Sequence, residues 1–201
     1  LNKAGIRLNT SMMADVSGQE GETIVAFAIE HPIAQVMEPL LKMSDNIYAE
    51  CLFHRLAAMS SHKKTARHQA AAVVDSLITR LGLEPKDYLI ADGSGLSLYN
   101  YVTPELLVTL LNHAQHNEQI RQYLLPCLPI AGVDGTLKKR MMGTRAQGNV
   151  MAKTGTVEGV SSLSGYLTAA NGHLISFSII NQGIARTRTG HNFQDQVCLI
   201  L

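Results

Sequence analysis

The chain has 201 residues, 46% of them hydrophobic and 16% charged, with a formal net charge of +1. That is enough for a single domain with a sizeable core, and a near-neutral balance whose only basic runs are His62-Lys63-Lys64 and Lys138-Lys139-Arg140 argues against a nucleic-acid partner. No apolar run is long enough to span a bilayer, and Cys51, Cys127 and Cys198 lack metal-type spacing and read as buried free thiols.

The first residue is Leu1 rather than methionine. We read that as a cut inside a longer protein, so a missing leader says nothing about compartment. Residues 1–22 are polar and glycine-bearing, the tail of an upstream region. Residues 23–30 are a compact apolar run, expected as a buried strand. Pro32 is expected to open a helix with Ile33, Val36, Met37, Leu40 and Leu41 on one face, which Pro39 should kink or end. Ser44 reads as the N-cap of the next helix, whose buried side is expected to be Ile47, Cys51, Leu52, Leu56 and Met59. A polar linker over 60–65 then leads to an amphipathic helix over 66–81, carrying Val73, Val74, Leu77, Ile78 and Leu81 and stopped by Gly82.

Residues 88–90 suit a short strand ahead of the turn-rich Asp92-Gly93-Ser94-Gly95. Thr103-Pro104 caps a helix bearing Leu106, Leu107, Leu110 and Leu111, and a further helix is expected around 118–125. Pro126, Pro129 and a loop over 131–136 follow, then a basic, glycine-punctuated stretch to Gly148. Residues 189–201 suit a helix packing back onto a sheet. The order, a mainly helical part over 31–147 and then strands and a terminal helix over 148–201, predicts an α+β fold.

The run Val150-Met151-Ala152-Lys153-Thr154-Gly155-Thr156 has strand character. Two β-rich segments follow, 162–170 and 173–181, joined by Asn171-Gly172, a hairpin signal whose two turn positions need positive φ. Alternation places Met151, Lys153 and Gly155 on one face and Val150, Ala152 and Thr154 on the other. A cation, hydroxyls and a bare glycine on one strand suit an extended anionic ligand pairing along its edge. Taken singly, Lys153 reads as a solvated strand lysine and Ser44 as a helix cap. His113 and His116 share a helical face, but no third ligand is evident for a metal. No phosphate-binding loop or Gly-x-Ser-x-Gly elbow is present, and no cofactor is expected.

In combination the motifs say more. Leu41-Lys42-Met43-Ser44-Asp45-Asn46 starts a helix, and Ala152-Lys153-Thr154-Gly155-Thr156 lies on a strand. Between them come Asp92-Gly93-Ser94-Gly95-Leu96-Ser97 with Tyr99-Asn100, and Leu128-Pro129-Ile130-Ala131-Gly132 with Asp134-Gly135-Thr136-Leu137. Over 32–183 the chain resembles the class C low-molecular-mass penicillin-binding proteins, which are D-alanyl-D-alanine carboxypeptidase/endopeptidases. There are two departures. Leu98 stands where this family often has arginine. No Ser-x-x-Lys nucleophile box precedes Ser44, and the spacing within Ser60-Ser61-His62-Lys63-Lys64 lies on the wrong side of Ser44, in a polar linker with no buried helix to desolvate the lysine. We read it as a chance match.

The resemblance implies a penicillin-recognising transpeptidase/β-lactamase-like fold, here its C-terminal part. The implied reaction is acyl transfer from peptidoglycan peptides through a serine ester, with β-lactams as inhibitors and a periplasmic or cell-envelope location. Ser44 would shuttle a proton, Asn46 would hold the substrate backbone, and Lys153 would add positive charge beside both Ser44 and the substrate carboxylate. Thr154 and Thr156 would offer hydroxyls, Gly155 would let the peptide lie against the strand, and the Thr156 N–H would serve as an oxyanion donor. The family's sheet also uses an upstream segment; without it an edge strand is unpaired and open to pairing with another chain, which leaves room for a homodimer. Two other readings stay open: a serine β-lactamase, and a non-catalytic cell-wall-binding module on the same scaffold.

Overall fold

In the computed structural model, residues 31–60 and 67–201 are described. The expected tail over 1–22, the strand over 23–30 and nearly all of the polar linker lie outside them. Residues His31–Leu201 form one unit.

Helix α1 spans Ile33–Lys42, with Pro32 as its N-cap rather than its first helical residue. Pro39 sits inside without ending it, because a proline forfeits its own N–H and not its carbonyl, which still accepts the Met43 N–H at 3.1 Å. Helix α2 spans Asn46–Ser60. Its cap is Asp45 and not Ser44: Asp45 Oδ1 accepts the N–H groups of Ile47 at 2.9 Å and Tyr48 at 3.2 Å. Ser44 has φ 58°, a left-handed backbone incompatible with the extended geometry of an N-cap.

The expected buried side of α2 is also corrected. Ile47 is 75% and Met59 73% exposed, while Phe53 and Ala57 are buried. Helix α3, Arg67–Arg80, packs on that side through the fully buried Ala70, with Ala71, Val74 and Ile90 around it. Small residues let the two helix backbones approach, so close packing overrode the larger apolar stripe. As expected, α3 stops at Gly82: with φ 82° it lets the Leu83 N–H reach the Ile78 carbonyl at 3.2 Å and its own N–H reach that of Thr79 at 3.0 Å. Helix α4, Pro104–His116, begins at Thr103, whose hydroxyl accepts the Leu106 N–H. Helix α5, Glu118–Leu124, is capped by Asn117.

Strands β1 (Met151–Val157), β2 (Val160–Thr168) and β3 (Leu174–Gln182) form an antiparallel sheet in that order. Among the positive-φ residues around the β2–β3 turn only Gly172 appears, at 83°. The Ala169 N–H bonds the His173 carbonyl and the Gly172 N–H bonds that of Ala169. This is a three-residue loop closed by a left-handed glycine, rather than a two-residue Asn-Gly turn.

Helix α6, Thr187–Ile200, covers one face of the sheet, where Ala152, Leu163, Phe177 and Cys198 share a core. Arg140 is tied to it through Asp195 at 2.6 Å and Gln194 at 3.0 Å. On the opposite face Tyr166 packs with Leu41, Leu111 and Met151, and its hydroxyl donates to the Leu111 carbonyl at 2.7 Å. Cys127 and Cys198 are buried, but Cys51 is exposed, because the α2 face that carries it is not the packed one.

Candidate active site

Strand alternation sets the site. Register pairs Met151 with Tyr166, Lys153 with Ser164 and Gly155 with Ser162, so these side chains share the face opposite α6. That face is apolar where Met151 and Tyr166 pack and polar further along, where the Ser164 and Ser178 hydroxyls bond each other at 2.9 Å. Lys153 stands at the boundary. The Val150 carbonyl accepts from Ala131, and the Ala152 N–H bonds the Pro129 carbonyl at 2.9 Å. Residues of this parity therefore turn their backbone groups away from β2, and by the same alternation Thr154 and Thr156 present theirs at the open edge.

Two chain segments 109 residues apart meet there: Lys153 Nζ donates to Ser44 Oγ at 2.6 Å. It also donates to the Thr154 carbonyl at 2.6 Å. Burial pulls the Lys153 ammonium down to about 8 from its ordinary 10.5, and among the described residues its hydrogen-bond partners are neutral oxygens. The left-handed backbone at Ser44 is the conformational cost of aiming its hydroxyl at that lysine.

The α1–α2 turn is held to the strand from below. Lys42 Nζ donates to the Leu128 carbonyl at 2.7 Å and to Asp134 Oδ2 at 2.5 Å, while Asp134 Oδ1 accepts the Ile130 N–H at 2.8 Å. Gly135, at φ 54°, lets this loop approach: a Cβ there would lie 2.7 Å from the Lys42 carbonyl oxygen. Beyond it, Thr136 Oγ1 accepts from Thr154 Oγ1 at 2.9 Å. The Thr154 hydroxyl thus braces the loop, whereas Thr156 is exposed. At Gly155 a Cβ would meet Ser162 Oγ at 2.4 Å, so the bare position accommodates the neighbouring strand's hydroxyl.

A cavity of about 800 Å³ is lined by Ser44, Asn46, Lys153, Thr154, Gly155 and Thr156 together, within the size range of small-molecule sites. Its far wall is the loop over 92–102. Asp92 organises that loop, accepting the N–H groups of Gly95 at 2.7 Å and Ser97 at 2.8 Å and the Asn100 amide at 2.9 Å. Burial alone would raise the Asp92 carboxyl, but the bonds from Asn100, Gly95 and Ser97 outweigh it and hold it below its ordinary value. Glu50 on α2 anchors the same loop, its Oε2 accepting the Gly93 N–H at 2.9 Å and the Ser94 N–H at 3.2 Å.

All six residues singled out from the sequence border this one cavity. Lys42, Thr136 and Glu50 were missed as parts of its scaffold, whereas Asp134, expected in a structural role ordering the loop before β1, has one. The first two lie inside the motifs already singled out, but nothing in a linear sequence indicates that a lysine before Ser44 pairs with an aspartate before Thr136. Glu50 carries no local signal, since its partners are backbone N–H groups far along the chain.

The model of the D-Ala-D-Ala carboxypeptidase 3 (S13) family matches residues 1–201. The chain is 33% identical over 180 residues to the D-alanyl-D-alanine carboxypeptidase DacB of Haemophilus influenzae, covering 88% of this chain and 37% of that protein. It is 38% identical over 156 residues to a D-alanyl-D-alanine carboxypeptidase of an Actinomadura species, covering 75% of this chain and 28% of that one. The structure superposes on penicillin-binding protein 4 of Haemophilus influenzae, solved with a β-lactam, with a TM-score of 0.74 at 28% identity, over 83% of this chain and 41% of that one. The fold is thus the α+β fold of penicillin-binding proteins. The chain spans 37% and 28% of the two curated relatives.

Proposed function

The chain belongs to the D-Ala-D-Ala carboxypeptidase 3 (S13) family, and we propose that its cavity binds peptides ending in D-Ala-D-Ala, and the β-lactams that mimic them, for serine-type carboxypeptidase or endopeptidase chemistry on peptidoglycan in the cell envelope. The contact between Lys153 Nζ and Ser44 Oγ, beside the open edge of β1, carries this reading. A substrate carboxylate entering beside Lys153 supplies the negative charge that a buried ammonium lacks. Asn46, on the first turn of α2, holds the substrate backbone. The Thr156 N–H, turned outward at the edge, suits an oxyanion donor, and the exposed Thr156 hydroxyl reaches the carboxylate.

Acyl transfer through a serine ester needs a nucleophile activated by a base. Ser44, hydrogen-bonded to a lysine whose affinity for its proton is lowered, relays a proton between a nucleophilic serine's base and the leaving amine. That nucleophile is not among these 201 residues in the family's Ser-x-x-Lys form ahead of Ser44.

The test is equilibrium binding of N-acetyl-D-Ala-D-Ala to the chain, with Lys153→Met beside it. Saturable binding that Lys153→Met weakens at least about tenfold supports the reading; no binding, or equal binding by both, overturns it. The same chain is expected to form no stable covalent adduct with a labelled penicillin, and mass spectrometry that finds the label on Ser60 or Ser61 would restore the Ser-x-x-Lys reading of that segment.

A further inference from the structure

Thr136 is fixed more firmly than an exposed loop threonine ordinarily is. It sits in the single helical turn Gly135–Leu137, which is pinned at both ends. Ahead of it Asp134 is paired with Lys42 at 2.5 Å, and Gly135 is pressed against the same lysine, where a Cβ would lie 2.7 Å from the Lys42 carbonyl oxygen. Behind it Leu137 is fully buried, and its carbonyl accepts the Gly132 N–H at 3.0 Å. A backbone held on both sides limits where the side chain between can point. That side chain borders the cavity, with its hydroxyl 2.9 Å from that of Thr154.

A count of protons gives this pair a use. Each hydroxyl has one proton to donate and can accept as well. In the structure Thr154 donates and Thr136 accepts, and among the described residues that is the side-chain bond Thr136 makes. The pair therefore holds two protons and spends one, leaving the other for a ligand in the cavity that both residues line. An ionised carboxylate offers acceptors alone. When one enters beside Lys153, turning both hydroxyls reverses the bond: Thr154, next to that lysine on β1, points its proton at the anion, and Thr136 donates to Thr154. A hydroxyl that accepts one bond while donating another is the stronger donor, and its orientation is set before the ligand arrives.

Resting on the D-alanyl-peptide reading above, we propose that Thr136 is a positioning residue for the substrate carboxylate: by donating to Thr154 Oγ1, its hydroxyl aims the Thr154 proton at that anion. The same turn carries the brace on Ser44, since Asp134 ties down Lys42 two residues before it. One short turn thus sets both the support of the serine and the direction of the hydroxyl beside Lys153. A hydrogen bond to an ionised acceptor is roughly twice as strong as one to a neutral acceptor, so the contribution of Thr136 shows in the preference for a carboxylate terminus over an uncharged one.

The probes are N-acetyl-D-Ala-D-Ala and its C-terminal amide, which differ only at the terminus. Calorimetric titration of the chain is expected to show the acid bound more tightly. Thr136→Val keeps the shape without the hydroxyl; it should weaken the acid at least about threefold and leave the amide within about twofold, so that the ratio of the two affinities narrows. Thr136→Ser keeps the hydroxyl and should restore the ratio. On a Thr154→Val background, Thr136→Val should cost nothing further, because Thr136 acts through Thr154. Thr136 is exposed, so melting of its variants should match the parent. Equal weakening of both peptides by Thr136→Val, an acid affinity it leaves unmoved, no rescue by Thr136→Ser, or a further loss on the Thr154→Val background overturns the positioning role while leaving the carboxylate-binding reading in place. A parent that binds neither peptide, or both equally, overturns that reading and the positioning role with it.

Discussion

Among the described residues, the Lys153 ammonium is hydrogen-bonded to neutral oxygens: Ser44 Oγ and the Thr154 carbonyl, each 2.6 Å away. The arrangement places a cation in a half-enclosed site with dipoles to orient it and, among the described residues, no hydrogen-bonded anion to neutralise it. Such a site is unfavourable when empty and favourable when a carboxylate arrives, and the first two predictions below follow from it.

Lys153→Met should stabilise the protein while weakening the ligand. At pH 7 the lysine is charged in both folded and unfolded states, and the folded state bears the burial penalty. Between about 8 and 10.5 the unfolded chain binds more protons than the folded one, so parental stability rises with pH across that window. The melting temperature of Lys153→Met should therefore exceed the parent's at pH 7, and the difference should shrink towards pH 10.5. A variant that melts lower than the parent at pH 7 contradicts the origin assigned to the lowered lysine.

Binding of a carboxylate-ended peptide needs the protonated lysine. Affinity for N-acetyl-D-Ala-D-Ala should hold below pH 8 and decline as pH rises through about 8, the value at which Lys153 loses its proton, displaced upward to the extent that the bound anion stabilises the charge. Titrations at closely spaced pH values measure this. A flat profile to pH 10 would mean that another group binds the carboxylate.

Asp134→Ala should loosen the support of Ser44. It removes the carboxylate that pairs with Lys42, whose side chain is 13% exposed against 38% for Asp134, and the acceptor of the Ile130 N–H. With partial solvent screening, the expected loss is about 1–3 kcal/mol in urea unfolding. Because Lys42 lies two residues before Ser44, peptide affinity should fall too. Unchanged stability would show that the pair contributes nothing measurable.

Gly165→Ala should be far more damaging than its chemistry suggests. A Cβ at that position would lie 2.1 Å from the Met151 carbonyl oxygen and 2.5 Å from the Ala152 Cα. Those are backbone atoms of β1, which cannot move aside without breaking the register that carries Lys153. A loss of about 2–4 kcal/mol or failure to fold is expected. Gly155→Ala is the control, since its Cβ meets only the rotatable Ser162 hydroxyl, and its effect on folding should be the smaller of the two.

One thiol should react quickly with a thiol reagent in the native protein, and three after denaturation. Cys51 is exposed, whereas Cys127 and Cys198 are buried, and burial raises both of their thiols, Cys198 to about 11. A count of zero in the native state would contradict the orientation of α2, and a count of three the burial of Cys127 and Cys198.

Local structure was largely legible in the chain itself. The caps and stops at Thr103 and Gly82 and the three strands around Lys153 follow from propensities and period acting within a few residues, and the motifs in their order pointed to the family and to the six residues lining the cavity. What the line of residues could not decide was which surfaces meet. It favoured the stripe with the larger side chains on α2, but the small Ala57 and Ala70 let α3 pack on the other side, leaving Ile47 and Cys51 in solvent. It read Ser44 as a cap because a serine before a helix is usually one, and only the arrival of Lys153 from 109 residues away turns that hydroxyl to a different use and leaves capping to Asp45. Propensity and periodicity are short-range; the electrostatics of the site depend on contacts that loop closure brings together, and those exist only once the fold has formed.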